Sequence, residues 1–440
     1  MLRRESDREI SPPPLKRRKL APPEPENHDD VRLSDLSKPT AKPRRKIRVF
    51  SWNVNGIDPF LPASSAKITS FFKSSDPDRP RDTESREPSS NSLRAFLARH
   101  NWPEVLFLQE IKIKNGDTSI LASLSASLNT PLNRQDDVLS DERTYTLDAT
   151  LPQDKHNAKG FNGRLYGVAT ILRKDYVRKY VECVRKVDWD MEGRVSVVEM
   201  KQQPSPASPT IKENGGELTP LALVNVYAVN GTSAPYRLPR TGLVIGTRHN
   251  RKIDFHSQLR DECISLEWRG FQVVVAGDVN VARGLLDGHP NLRTFPKQHC
   301  INRADFNTKF FGVEDNERAE AYIGREVKDG EWRMKDETEE KTRCLDAVDV
   351  FRAIHGSDRR YTWHSRTREW GSCCDRVDLI FVSKGLWTAG RVMDTGILDT
   401  PQERGPSDHV PLWVEVAMDQ PDSKSQREEP KHLVIQQLTG

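Results

Sequence analysis

Val273-Val274-Val275-Ala276-Gly277-Asp278-Val279-Asn280 is the stretch whose reading decides the fold. Its apolar run is rich in β-branched residues and too short for a helix, so it reads as a buried strand. Asp278 and Asn280 follow at once, where the buried run has just surfaced. Runs of the same texture recur at Ile47 to Trp52, Val105 to Leu108, Gly167 to Leu172, Val195 to Met200, Leu221 to Tyr227, Val377 to Val382 and Val410 to Val416. At least eight strands are therefore expected. Between some of them lie helical patterns: Ser92 to His100 puts Leu93, Phe96 and Leu97 on one face, and Ile253 to Trp268 aligns Phe255, Leu259, Cys263 and Leu266. Strands and helices sharing one region imply a layered α/β domain.

Polar residues cluster at the strand ends. Phe50 to Gly56 closes one strand with Asn53 and Asn55, Val105 to Glu110 closes another in a carboxylate, and Ser407-Asp408-His409 precedes a further run. Each element alone reads as a turn or a cap. Together, such groups converging on one sheet edge are costly to desolvate unless an ion, a ligand or water satisfies them, and oxygen donors suit Mg²⁺, with Mn²⁺ as a substitute.

The first 46 residues carry eight prolines and 13 Lys or Arg against 8 Asp or Glu, so of the net charge of +4 a surplus of +5 sits in this segment and −1 is left for the rest, which is near neutral. A neutral body argues against non-specific coating of nucleic acid, although a basic groove beside an acidic site gives the same sum. Residues 1–46 have no apolar period and read as a disordered tail, 47–417 as the catalytic domain and 418–440 as a second disordered tail. The clusters at Pro12 to Leu20 and Lys42 to Lys46 suit nuclear import, with a solvated charge run or a DNA-tethering arm as alternatives. Ser74 to Ser90, Pro204 to Pro220 and about Asp315 to Thr342 read as inserted surface loops. Six cysteines without a paired spacing, and a start without an apolar signal region, predict a reduced intracellular protein. No run reaches the length of a membrane span, so no membrane partner is expected, and the chain is expected to act as a monomer.

The ordered set Ser51 to Gly56, Leu108 to Lys112, Glu192 to Val195, Asn225 to Asn230, Gly277 to Ala282, Asp375 to Asp378 and Ser407 to His409 resembles the successive motifs of the endonuclease/exonuclease/phosphatase superfamily, in its exonuclease III type (abasic-site endonuclease) branch. The resemblance runs from about Ile47 to Val416. It implies an α/β four-layer sandwich, deoxyribonuclease-I-like, with two mixed β-sheets face to face and helices outside. It implies metal ligands at Glu110 and Asp408, with Asn53, Asn55, Asp278 and Asn280 in or beside the ligand set. Asn55 stands where some relatives carry an acid. Asp278 would be the acid/base carboxylate, Asn280 and Asn230 would hold the phosphate, and His409, oriented by Asp378, would bind a phosphate oxygen. Tyr227 would contact the phosphate from the other side. On their own residues, Tyr227 could equally be a strand aromatic and Asp378 a partner of Arg376. Trp363 either lines a pocket for a base-less sugar or fills core.

The resemblance breaks at Cys373-Cys374-Asp375, where abasic-site relatives often carry a large aromatic. A carboxylate does not replace an apolar wall that excludes normal nucleotides. The expected activity is metal-dependent cleavage of DNA 5′ to abasic sites, with 3′-end trimming, for a nuclear DNA-repair enzyme. RNA, a protein–DNA adduct, an inositol phosphate or a lipid phosphate are alternative substrates, and a non-catalytic binding protein is the alternative class.

Overall fold

The computed structural model describes residues 45–61, 92–114, 117–133, 136, 140–157, 163–202, 219–312 and 344–418. The stretches Ser74 to Ser90, Pro204 to Leu218 and Asp315 to Thr342, and both tails apart from Arg45, Lys46 and Met418, lie outside the described residues.

Twelve strands form two six-stranded sheets. They are β1 (Lys46–Asn53), β2 (Val105–Gln109), β3 (Tyr145–Thr150), β4 (Val168–Arg173), β5 (Val181–Lys186), β6 (Val195–Met200), β7 (Leu221–Tyr227), β8 (Gln272–Asp278), β9 (Ala347–Asp349), β10 (Asp378–Ser383), β11 (Val392–Ile397) and β12 (Leu412–Ala417). The first sheet runs β11-β12-β1-β2-β4-β3 and the second β9-β10-β8-β7-β6-β5. Each has one parallel pair near its centre, β1 with β2 and β7 with β8, flanked by antiparallel neighbours.

The period-2 alternation of these strands divides the core into layers. Val49, Val105, Phe107, Leu223, Val274, Ala276 and Ile380 face one another between the sheets. Phe50, Trp52, Leu106 and Leu108 point outward beneath helices α1 (Leu93–Arg99) and α2 (Thr118–Asn129). Val224, Val273, Val275 and Phe381 point outward beneath α3 (Arg248–Trp268) and α4 (Gln298–Phe311). The result is the four-layer α/β sandwich.

Two boundaries differ from the sequence reading. Lys46 opens β1, paired with Ala417, and the Met418 amide donates to the Arg45 carbonyl, so the ordered body exceeds 47–417 at both ends. Basic side chains there conceal an edge-to-edge backbone pairing; Lys46 forms an ion pair with Glu415 at 2.8 Å. Helix α3 begins at Arg248 rather than Ile253, because Thr247 and Asn250 close a reciprocal capping box over a first turn that has no apolar residue to announce it.

Candidate functional site

The parallel pairs aim the C-terminal ends of β1, β2, β7 and β8 at one end of the sandwich. Their antiparallel neighbours β10 and β12 start there. Asp278 consequently lies opposite both Tyr227 and Asp378, and Asn53 opposite Gln109. The two sheets are tied at this end by buried polar groups: the Gln109 amide donates to Ser51 Oγ at 3.0 Å and to Asn225 Oδ1 at 2.8 Å, and the Asn53 amide to Asp278 Oδ2 at 3.0 Å. Asn55, Glu110, Lys112 and Asn280 all adopt φ between 50° and 54°, a left-handed conformation that costs these residue types about 1 kcal/mol or more each. Strain of this kind concentrates where the surrounding structure holds groups for chemistry.

A cleft of about 260 Å³ opens at this end. Of the residues expected from sequence, Glu110, Asn230, Asp278, Asn280, Trp363, Asp408 and His409 line it. Asn53, Asn55, Tyr227 and Asp378 stand behind them and hold them in place.

One side of the cleft gathers oxygen donors. Lys112 Nζ lies 2.7 Å from Glu110 Oε2 and also donates to Asn55 Oδ1, while the Asn55 amide donates to Asp408 Oδ1 at 2.7 Å. Two oxygens from separate strand ends thus already converge on one positive charge, which is the arrangement a hard cation requires. The Tyr227 hydroxyl donates to the other Glu110 oxygen, and Trp363 Nε1 donates to Asp408 Oδ2 at 3.1 Å. Both carboxylates are therefore oriented from behind. Glu110, Asp408 and Asn55 fit a divalent ion, which when bound would neutralise charge on a phosphate and polarise its oxygens. Asn53 links the two sides of the site: its side-chain nitrogen donates to Asp278 Oδ2 at 3.0 Å, and its oxygen accepts from the Asn55 backbone amide at 3.0 Å.

The other side is a carboxylate–imidazole assembly. Asp278, Asp378 and His409 bring their oxygen and nitrogen atoms within 4.8 Å of one another, all buried. His409 Nδ1 is 2.7 Å from Asp378 Oδ2. Burial alone would lower the His409 pKa, but the charge of Asp378 and the hydrogen bond to it prevail and raise it to about 10. The ring stays cationic, and Nε2 is the nitrogen left to donate to an anionic group. Burial, reinforced by the charge of Asp378, pushes Asp278 up to about 7, where a carboxylate can take a proton from water and return it. Asn280 folds back on Asp278, its backbone amide donating to Oδ1 at 2.8 Å. Arg376 does not pair with Asp378; it forks onto Asp287 and Asp349 instead.

Several groups escaped the sequence reading. Lys112 follows Glu110 by two residues, a proximity that could have flagged it. Lys252 lies on α3, and Arg303 and His299 lie in the first turns of α4, all lining the cleft. Nothing local in the sequence points them there. Lys252 is 3% exposed and donates to the Asn280 carbonyl at 2.7 Å, and Arg303 donates to the carbonyls of Ala282 and Arg293. Among the described residues neither has a carboxylate within ion-pair distance.

A model of the Endonuclease/Exonuclease/phosphatase family matches residues 50–409. The chain belongs to that family. Among solved structures, it is similar to the AP endonuclease LMAP from Leishmania major, at 18% identity and a TM-score of 0.50 over 85% of this chain and 88% of that one. It is also similar to the Xenopus laevis APE2 catalytic domain, at 16% identity and a TM-score of 0.49 over 86% and 94%. The 3′ phosphatase NExo from Neisseria, bound to product DNA hairpin, matches at 16% identity and a TM-score of 0.45 over 84% and 99%. No curated protein matches the sequence significantly. The first of these likenesses, with the family match, places the deoxyribonuclease-I-like sandwich within the family's fold.

Proposed function

We propose that this member of the family is a Mg²⁺-dependent phosphodiesterase of the exonuclease III type that hydrolyses DNA backbones, cutting at abasic sites and trimming 3′ ends in repair. The observation that carries the reading is the convergence of Glu110 and Asn55 on one cationic position, with Asp408 bound to the Asn55 amide, beside the buried Asp278, Asp378 and His409 assembly. Metal-assisted hydrolysis of a phosphodiester needs a cation, a proton acceptor for water and a positive donor to the phosphate, and these groups supply all three roles.

Nucleic acid is favoured as the polyanion because Lys252, Arg303 and His299 line the same cleft. Burial pulls the Lys252 pKa down to about 7, so an anionic ligand beside it would favour its charged form. The basic clusters at 12–20 and 42–46 would address the protein to the nucleus.

The test is the purified chain with Mg²⁺ on an abasic duplex, an intact duplex with a recessed 3′ end and single-stranded RNA, with Asp278→Asn as the control. DNA cleavage that is abolished by chelation and by Asp278→Asn is expected. Cleavage of RNA alone, or turnover unchanged in the variant, overturns the proposal.

A further inference from the structure

One wall of the cleft is charged. Asp375 lines it and is 6% exposed, and its carboxylate is met by Arg293 Nη2 at 2.9 Å. The Arg293 guanidinium lies over the Trp363 ring, 4.9 Å from its centroid.

The two halves of this pair differ in freedom. Asp375 sits in a small three-stranded sheet between Gly288 and Trp363, its carbonyl accepts from the Thr362 amide at 3.1 Å, and the neighbouring Arg376 is locked onto Asp287 and Asp349. Arg293 lies in the irregular stretch 290–297, and its side chain is half exposed. The carboxylate is therefore a fixed acceptor and the guanidinium an adjustable lid on an aromatic ring. Trp363 is fixed as well, since its Nε1 donates to Asp408 Oδ2.

An aromatic face, a stacking guanidinium and a fixed carboxylate in one wall form a nucleobase site. Bases stack on indole and guanidinium planes whatever their identity, and a carboxylate accepts a hydrogen bond from an exocyclic amine. A base-less sugar offers neither a π-face nor an amine, so it would be the weaker occupant of this wall. Resting on the phosphodiesterase reading above, we propose that Trp363, Arg293 and Asp375 form a specificity pocket for a 3′-terminal nucleotide that retains its base, with preference for bases carrying an exocyclic amine. In the reaction this serves, water adds to phosphorus, the P–O3′ bond breaks, the leaving O3′ takes a proton, and the terminal residue departs as a 5′-mononucleotide.

The experiment measures kcat/KM with Mg²⁺ on duplexes with recessed 3′ ends in dC, dA, dG or dT, on an abasic duplex and on a 3′-phosphate end. The full-length chain should release dC, dA and dG faster than dT by roughly tenfold, the value of one charge-assisted hydrogen bond. In dT the ring N–H lies between two carbonyl oxygens that repel a carboxylate. Asp375→Leu should bring that ratio to about one. Asp375→Asn, which preserves shape and adds an amide donor, should move it toward dT, and keeps the test open if the leucine variant fails to fold. A wild-type enzyme indifferent to the terminal base, or one that removes a 3′-phosphate faster than any nucleotide, overturns the pocket assignment alone. Absence of cleavage on every DNA overturns the phosphodiesterase reading and this one with it.

Discussion

His409 and Asp378 belong to different sheets, yet Nδ1 of one lies 2.7 Å from Oδ2 of the other. His409 precedes β12 in the first sheet and Asp378 opens β10 in the second, so the contact exists only if the sandwich closes in register. Asp378→Asn removes the charge that holds the imidazolium and leaves the volume unchanged. We expect kcat on DNA to fall by about 10²- to 10⁴-fold with KM little altered, measured at saturating Mg²⁺. A fall of less than about fivefold would remove His409 from the phosphate-binding role.

Lys112 occupies the position toward which Glu110 Oε2 and Asn55 Oδ1 both point. A divalent ion entering there must share the site with an ammonium, or displace it. Lys112→Met deletes that competing charge, and Mn²⁺ affinity read by electron paramagnetic resonance should rise by roughly tenfold, the order expected for one unit charge at a few ångströms in a partly solvated site. Weaker Mn²⁺ binding in the variant would mean that Lys112 orders the ligands more than it repels the ion.

Within the two six-stranded sheets, the eight strands legible in the sequence are the eight inner ones, and the four it concealed, β3, β5, β9 and β11, are the four edges. Inner strands are covered on both faces, so β2 reads Val-Leu-Phe-Leu-Gln and is buried throughout. Edge strands face solvent along one side: β5 is Val-Glu-Cys-Val-Arg-Lys and β11 is Val-Met-Asp-Thr-Gly-Ile, and both look like loops. The site divides in the same way. Groups at the ends of inner strands, such as Asp278 and Glu110, were visible because an apolar run points to them. Lys252 and Arg303 reach the cleft from helices whose rotation is set by packing, and no local pattern records that.

Gly277 precedes Asp278 with φ +153°, and a Cβ built there would collide with the Val226 carbonyl oxygen. The close approach is that of β8 to its parallel partner β7, the same contact that aligns Asp278 with Tyr227. Gly277→Ala must force the strands apart or tilt the Asp278 backbone. A loss of about 3 kcal/mol in urea unfolding is expected, together with loss of activity even in molecules that remain folded. Unaltered stability would show that the pair can separate at no cost.

Glu192 is 1% exposed and surrounded by Arg194, Arg248 and Arg251 at 2.6 to 3.2 Å. Burial works against its charge, but the three guanidinium groups prevail and hold its pKa down to about 2. A folded pKa below the unfolded value, near 4.3, means that the unfolded chain binds the proton more readily, so this contribution is full above that value and disappears as pH falls toward 2. It amounts to about 3 kcal/mol at most. The network supports the site, since the Arg194 guanidinium lies 4.8 Å from the Tyr227 ring centroid and donates to the Tyr227 carbonyl. Unfolding free energy measured from pH 6 down to pH 2 should decline through this window, and the decline should be shallower in Glu192→Gln. That variant should also be less stable at pH 7, because it leaves three guanidinium groups facing a neutral amide. Equal slopes in the two proteins would transfer the acid sensitivity to other carboxylates.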